Sequence, residues 1–304
     1  MFSFIKWFSS FFENLKKNKG LWFTFLTVIS IIGIFTSLYF VNFLVGDVAQ
    51  KTYENQKSHY VLALKNKISS QNSYVDAIAS VISKDKNIAN EFFSDDDNSS
   101  NRIKQTTDLM TAKLNKSIGK KSIDISFVES KKPKSINGVD VTEHGAVFES
   151  IVPMVNKDGT IISVQATKDM DTLVEEYKKE HKEFAFFLTE SSINKIDKDL
   201  KKSQYISLND KLYIQKDRYD SNLIVTLKST KLKDKFEEDG YIKSPRYFYT
   251  YQKVYDVEGD IAGIAFVAEE IKDDNSFVNL VKNLVNSVTM VALGLIVSMI
   301  LFLF

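Results

Sequence analysis

The stretch His144–Leu173, HGAVFESIVPMVNKDGTIISVQATKDMDTL, carries the pattern from which the fold can be read. Gly145–Val155 and Thr160–Ala166 are apolar runs of strand length. Between them lies Asn156-Lys157-Asp158-Gly159, in which Asp-Gly supplies the positive-φ geometry of a tight hairpin. An acidic cluster follows, and Asp169–His181 then takes up a helical period, with Met170, Leu173, Val174 and Tyr177 on one face. The pattern recurs once. Tyr255-Asp-Val-Glu-Gly259-Asp-Ile261 repeats the acidic-glycine turn, with the strand Tyr247–Tyr255 before it and Ile261–Ala268 after it. Two hairpins, each closing a set of strands and helices of similar size, predict a duplicated α+β architecture.

Outward from these hairpins the chain is bounded by two apolar runs. Leu21–Val45 contains no charged residue. As a helix it reaches roughly 37 Å at ~1.5 Å per residue, enough for a ~30 Å hydrocarbon core. Leu284–Phe304 ends the chain in the same way. Lys16, Lys17 and Lys19 precede the first run, which predicts both termini in the cytoplasm and Asp47–Lys282 outside. Met1–Leu15 gathers Phe4, Phe8, Phe11, Phe12 and Leu15 on one face, the pattern of a helix lying in the membrane interface, in contact with lipid. The chain stops at Phe304, at the second span, and a fragment lacking an output domain is the expectation.

Between the spans, Asp47–Asn90 reads as one long helix continuing from the first span, and Arg102–Ile118 as a second, with Gly119 as its C-cap. The acidic run Asp95–Ser100 lacks the glycine and closing glutamate of a calcium loop and reads as a solvated link. Ile123–Val128, Glu183–Thr189, Lys211–Gln215 and Leu223–Lys228 read as strands. Ser191 and Ser192 cap a short helix, and Lys231–Glu238 is another. The predicted organisation is a tail over 1–20, a span over 21–45, two helices over 46–122, a first module over 123–200, a second over 201–274, and a helix leading into the second span over 275–304.

The composition excludes several functions. Net charge is +1, so the chain has no nucleic-acid signature. Cysteine is absent, so the fold depends on core packing without disulfides. His59, His144 and His181 are far apart in sequence and form no metal-ligand spacing. No phosphate loop or nucleophile elbow is present. The chain is therefore read as a non-enzyme with no cofactor and no metal.

The two hairpin segments, HGAVFESIVPMVNKDGTIISVQATKDMDTL and RYFYTYQKVYDVEGDIAGIAFVAEEI, resemble the extracellular double Cache family of bacterial sensors over roughly Asp47–Asp274. The resemblance implies two PAS-like antiparallel sheets behind a long helix. It implies a membrane-distal module that usually holds a small ligand, and a membrane-proximal second module. It further implies a chemoreceptor-like or kinase- or cyclase-like receptor engaged in signal transduction or chemotaxis. The tryptophan and arginine positions of amino-acid-binding members are not matched, because Trp7 and Trp22 lie at the membrane and the first module has no arginine after Arg102. Asp124, Ser126, His144 and Glu149 are the polar residues a pocket in the first module could use. In the second module, Arg246 with Tyr247, Tyr249 and Tyr251 on one strand face would fit a small organic anion; tyrosines covering the sheet beneath a helix is the competing reading. The apolar steps along the helix from Asp47 predict a homodimer. A membrane-anchored interaction module with no small-molecule ligand is the alternative to the sensor.

Overall fold

The computed structural model describes residues 17, 19–93, 99–118, 123–129, 134–142, 145–155, 161–196, 198–208, 211–216, 218–229, 240–244, 246–271 and 277–303. The chain divides into two parts, Gln56–Ser276 and the terminal segments Met1–Asn55 with Phe277–Phe304. One helix, α1 (Lys19–Ser83), runs without interruption through 65 residues. It contains neither proline nor an interior break, and its glycines, Gly20, Gly33 and Gly46, are tolerated within it. The long helix expected to reach Asn90 instead stops at Ser83. Asp85 accepts the N–H of Asn87 and starts α2 (Lys86–Phe92) afresh. Helix α3 (Ser99–Ile118) follows, and α8 (Phe277–Leu303) closes the chain. Among the described residues no helix is long and apolar enough to cross a membrane.

The part Gln56–Ser276 holds two antiparallel sheets. The first comprises β1 (Ile123–Glu129), β2 (Ile136–Thr142), β3 (Gly145–Val155) and β4 (Ile161–Asp169), in the order β1-β4-β3-β2. The second comprises β5 (Glu183–Thr189), β6 (Tyr205–Ser207), β7 (Leu212–Gln215), β8 (Gly240–Lys243), β9 (Tyr247–Tyr255) and β10 (Ile261–Glu270), in the order β6-β7-β5-β10-β9-β8. Each of the two hairpins read in the sequence forms a ladder, Val155 opposite Ile161 in one and Tyr255 opposite Ile261 in the other.

Several sequence readings change here. Glu183–Thr189, placed in the first module, pairs with β10 and β7 and belongs to the second sheet. Helix α4 (Thr172–Lys179) therefore lies between the last strand of the first sheet and the first strand of the second. Leu223–Lys228, read as a strand, is part of helix α7 (Ser221–Ser229), because Leu223, Ile224 and Leu227 recur at helical steps and are buried. The cap of the short helix α5 (Glu190–Ile193) is Thr189, whose hydroxyl accepts the Ser192 N–H, rather than either serine; α6 (Lys198–Gln204) follows. The amphipathic tail, the Asn156–Gly159 turn, Gly119, His144 and the Lys231–Glu238 helix lie outside the described residues.

Helix α1 is tied to both sheets by specific polar contacts. On the first sheet Ser150 donates to Asp76 at 2.8 Å, and Lys168 donates to Gln71 at 2.6 Å. On the second, Tyr60 donates to Glu269 at 2.5 Å, and its ring meets Phe248 edge-on. Tyr60, Leu64, Gln71, Val75, Ala79 and Ile82, the buried residues of this stretch, recur at three-, four- and seven-residue steps and form one stripe.

Candidate functional site

The first sheet separates two chemistries because side chains alternate across a strand. Ile123, Ile125, Phe148, Ser150, Val164, Ala166 and Lys168 belong to the side facing α1. The other side carries Asp124 and Ser126 on β1, Gln165, Thr167 and Asp169 on β4, Glu149 on β3 and Asp140 on β2. Three of the four first-module residues anticipated as a site, Asp124, Ser126 and Glu149, therefore share one face.

That face is wired together. Ser126 lies opposite Gln165 and donates to its amide oxygen at 2.9 Å. The Gln165 amide nitrogen donates to Glu149 at 2.5 Å. Burial is the largest influence on Glu149 and pushes its pKa above the usual carboxylate range; the Gln165 amide works against this, and Asp140 alongside adds to it. Glu149 is buried, Ser126 and Gln165 are half-buried, and Asp124 is exposed. A cation stands at each margin. Lys195 lies 3.8 Å from Asp140 and 3.2 Å from Asp256. Arg218 pairs with Asp171, lies 3.6 Å from Asp169 and donates to Gln215 at 2.6 Å. Gln165, Asp140 and Arg218 were not anticipated. Gln165 and Asp140 could have been found by extending the alternation of β1 to the neighbouring strands. Arg218 arrives from the second sheet's segment and has no local signal.

The second module behaves differently. Tyr247, Tyr249 and Tyr251 do share a face, as the alternation requires, but that face is filled. They pack with Phe187, Ile264 and Phe266 and with Leu223, Ile224 and Leu227 of α7 in a single apolar cluster. Phe266 sits 6.1 Å from the Tyr249 ring and 6.0 Å from the Tyr251 ring. Tyr247, with its hydroxyl 3.4 Å from Asp220, has its pKa pushed up to about 12, chiefly by burial. Arg246 donates to Glu270 at 2.9 Å and lies over the Tyr247 ring. The tyrosine wall is a core face packed against α7, and the arginine beside it is ion-paired.

Asp256, Glu258 and Asp260 cluster at the β9–β10 turn. The Asp256 carboxylate accepts from the Glu258 and Asp260 N–H groups and from Lys195, so its role there is that of a turn cap.

No known protein-family profile matches the chain, and no curated protein matches it. Two solved structures are similar in shape. One is the crystal structure of an extracellular domain assigned to a histidine kinase, vpHK1S-Z8, at 8% identity and a TM-score of 0.42, covering 74% of this chain and 97% of that one. Another is the sensor domain of the V. cholerae histidine kinase DctB, at 11% identity and a TM-score of 0.35, covering 75% and 97%.

Proposed function

We propose that this chain is the extracytoplasmic sensing part of a two-span membrane receptor and that the outer face of the first sheet receives a small molecule. The observation that carries this reading is the polar series Ser126–Gln165–Glu149 on one side of a sheet whose other side is hydrogen-bonded to α1 through Ser150 and Lys168. A ligand that re-registers these strands acts on Asp76 and Gln71, two positions of one uninterrupted helix. Large apolar side chains standing exposed on the terminal segments, among them Ile32, Phe35, Tyr39 and Phe43 on α1 and Met290 and Val291 on α8, support a lipid environment there. Beyond the buried stripe, Leu62 and Val81 of α1 are exposed, at 59% and 71%, which supports assembly with a second copy along this helix.

The face is rich in acceptors. Asp124, Glu149 and Gln165 suit a ligand that donates hydrogen bonds, such as an amine. Arg246, on which an organic anion would rest, donates to Glu270. Thermal denaturation of the full chain in nanodiscs against a panel of small amines, polyols and carboxylates tests the reading. At least one donor-rich compound is expected to stabilise the wild type and Arg246→Ala equally, and to lose its effect in Gln165→Leu. Stabilisation that vanishes in Arg246→Ala but persists in Gln165→Leu contradicts the proposal.

A further inference from the structure

Two carboxylates are buried among the described residues, Glu149 at 3% exposure and Asp256 at 8%. Their surroundings differ. Asp256 accepts from Lys195 and from the N–H groups of Glu258 and Asp260. Glu149 accepts the Gln165 amide at its Oε1 oxygen, and among the described residues no cation lies against it. Its other close polar neighbour is itself a carboxyl group. Asp140 of β2 stands opposite Val147, and Glu149 of β3 stands opposite Gly138. The two acids are therefore diagonal neighbours on one face of adjacent strands, within hydrogen-bond reach of each other.

An ionised carboxylate is costly to bury without a cation, and two in contact repel each other. A single proton between them removes both penalties. The amide occupies Oε1 of Glu149, so Oε2 is left to carry the proton toward Asp140. The proton belongs on Glu149, because Asp140 is only half-buried and has Lys195 at 3.8 Å. Burial first, and then Asp140, push the Glu149 pKa up against the pull of the Gln165 amide, in agreement with this placement. The other charged groups around the pair lie further out or are engaged. Lys195 is shared with Asp256 at 3.2 Å. Asp169 of β4, opposite Val147, has Arg218 at 3.6 Å. Asp124 of β1 is one strand beyond, with Thr167 between it and Glu149.

We propose that Glu149 and Asp140 share one proton, and that its loss makes the first sheet a pH-responsive element acting on α1. The acids sit on β3 and β2, and β2 is the edge strand of its sheet, the one free to yield when both are charged. Ser150, the next residue of β3, points to the opposite side and donates to Asp76 of α1 at 2.8 Å. A shift of β3 against β2 acts on that bond. The parallel bridge between Val139 and Asp256, with Lys195 across both acids, also ties β2 to the β9–β10 turn, so the same event reaches the second sheet. This inference rests on the sensing reading for the role of α1 as output. Its test uses no ligand, so failure of the small-molecule site and failure of the proton pair are separate results.

The test is urea denaturation of the full chain in nanodiscs from about pH 4 to about pH 8. The folded state holds the proton more tightly, so the wild type is expected to lose stability as pH rises through the folded value, above the ordinary carboxylate range. Glu149→Gln keeps the shape and should abolish this transition. Asp140→Asn removes the like charge and should move its midpoint to lower pH. Lys195→Gln removes the cation and should move it to higher pH. A Glu149 that served packing alone would give no such opposed shifts. A spin label at Ala77, an exposed position beside Asp76, should change its mobility with the wild-type midpoint and lose that dependence in Glu149→Gln and in Ser150→Ala. A transition that is identical in wild type and Glu149→Gln overturns the shared proton, as does a midpoint that Asp140→Asn leaves in place. A label at Ala77 that stays constant through the transition overturns the action on α1.

Discussion

The two sheets are built on one hairpin plan and use the face away from α1 in opposite ways. On the second sheet that face is closed by α7, and Tyr247, Tyr249, Tyr251 and Phe266 pack into it. On the first sheet the equivalent face carries Ser126, Gln165, Glu149 and Asp140. The α1-facing sides contrast less, since both combine apolar packing with a few hydrogen bonds to the helix. Where helix α7 covers a sheet, the sheet's chemistry is packing; where a face keeps acceptors in series, it can recognise a molecule. A row of tyrosines in a strand fits both descriptions, and only the element stacked on it decides.

The contrast can be broken most severely from the packed side. Phe266→Ala removes a fully buried ring that touches Phe187 and two tyrosines and should cost about 3–5 kcal/mol in chemical denaturation. A loss within experimental error would mean the face is not a core. Next is Gln71, which holds a buried lysine and a carboxylate at once. Gln71→Leu leaves both without this partner and should cost about 2–3 kcal/mol.

Glu149 sharpens the comparison through pH. Its folded pKa is raised, so the folded state holds the proton more tightly than the unfolded chain. The stability this adds is fully present below the unfolded carboxylate pKa and is lost as pH rises through the folded value. Glu149→Gln mimics the protonated form and should flatten this part of the stability-versus-pH curve. An unchanged slope would place the charge elsewhere. The smallest effect belongs to the exposed side of α1. Leu62→Ser should change the stability of the fold by no more than about 0.5 kcal/mol. Single cysteines at Leu62, Ser69 and Ser73 should nevertheless crosslink two copies, while cysteines at the buried Leu64 and Val75 should not. A flat crosslinking pattern would remove the homodimer.

The sequence declares those parts of the fold that rest on local periodicity. The α1 stripe, both hairpins and the alternation that puts Asp124 and Ser126 on one face follow from residue spacing; Glu149 joins them only through the register of β3 on β4 and of β4 on β1. Leu223–Lys228 was misread because a short apolar run with β-branched residues fits either period, and burial under the tyrosine sheet selects the helix. Glu183–Thr189 belongs to the second sheet because β5 pairs with β10 at a separation of about eighty residues, where no local pattern reports it. Arg218 at the Asp169 margin escapes the sequence for the same reason: it gains meaning from a neighbour that only the tertiary fold supplies.

The most direct test of the division between the two faces is amide hydrogen exchange on the full chain in nanodiscs, with and without a donor-rich compound that stabilises it. The account predicts added protection in β1, β3 and β4, with the tyrosine segment Tyr247–Tyr251 of β9 unchanged. Protection confined to Tyr247–Tyr251, with β3 and β4 unaffected, would contradict it.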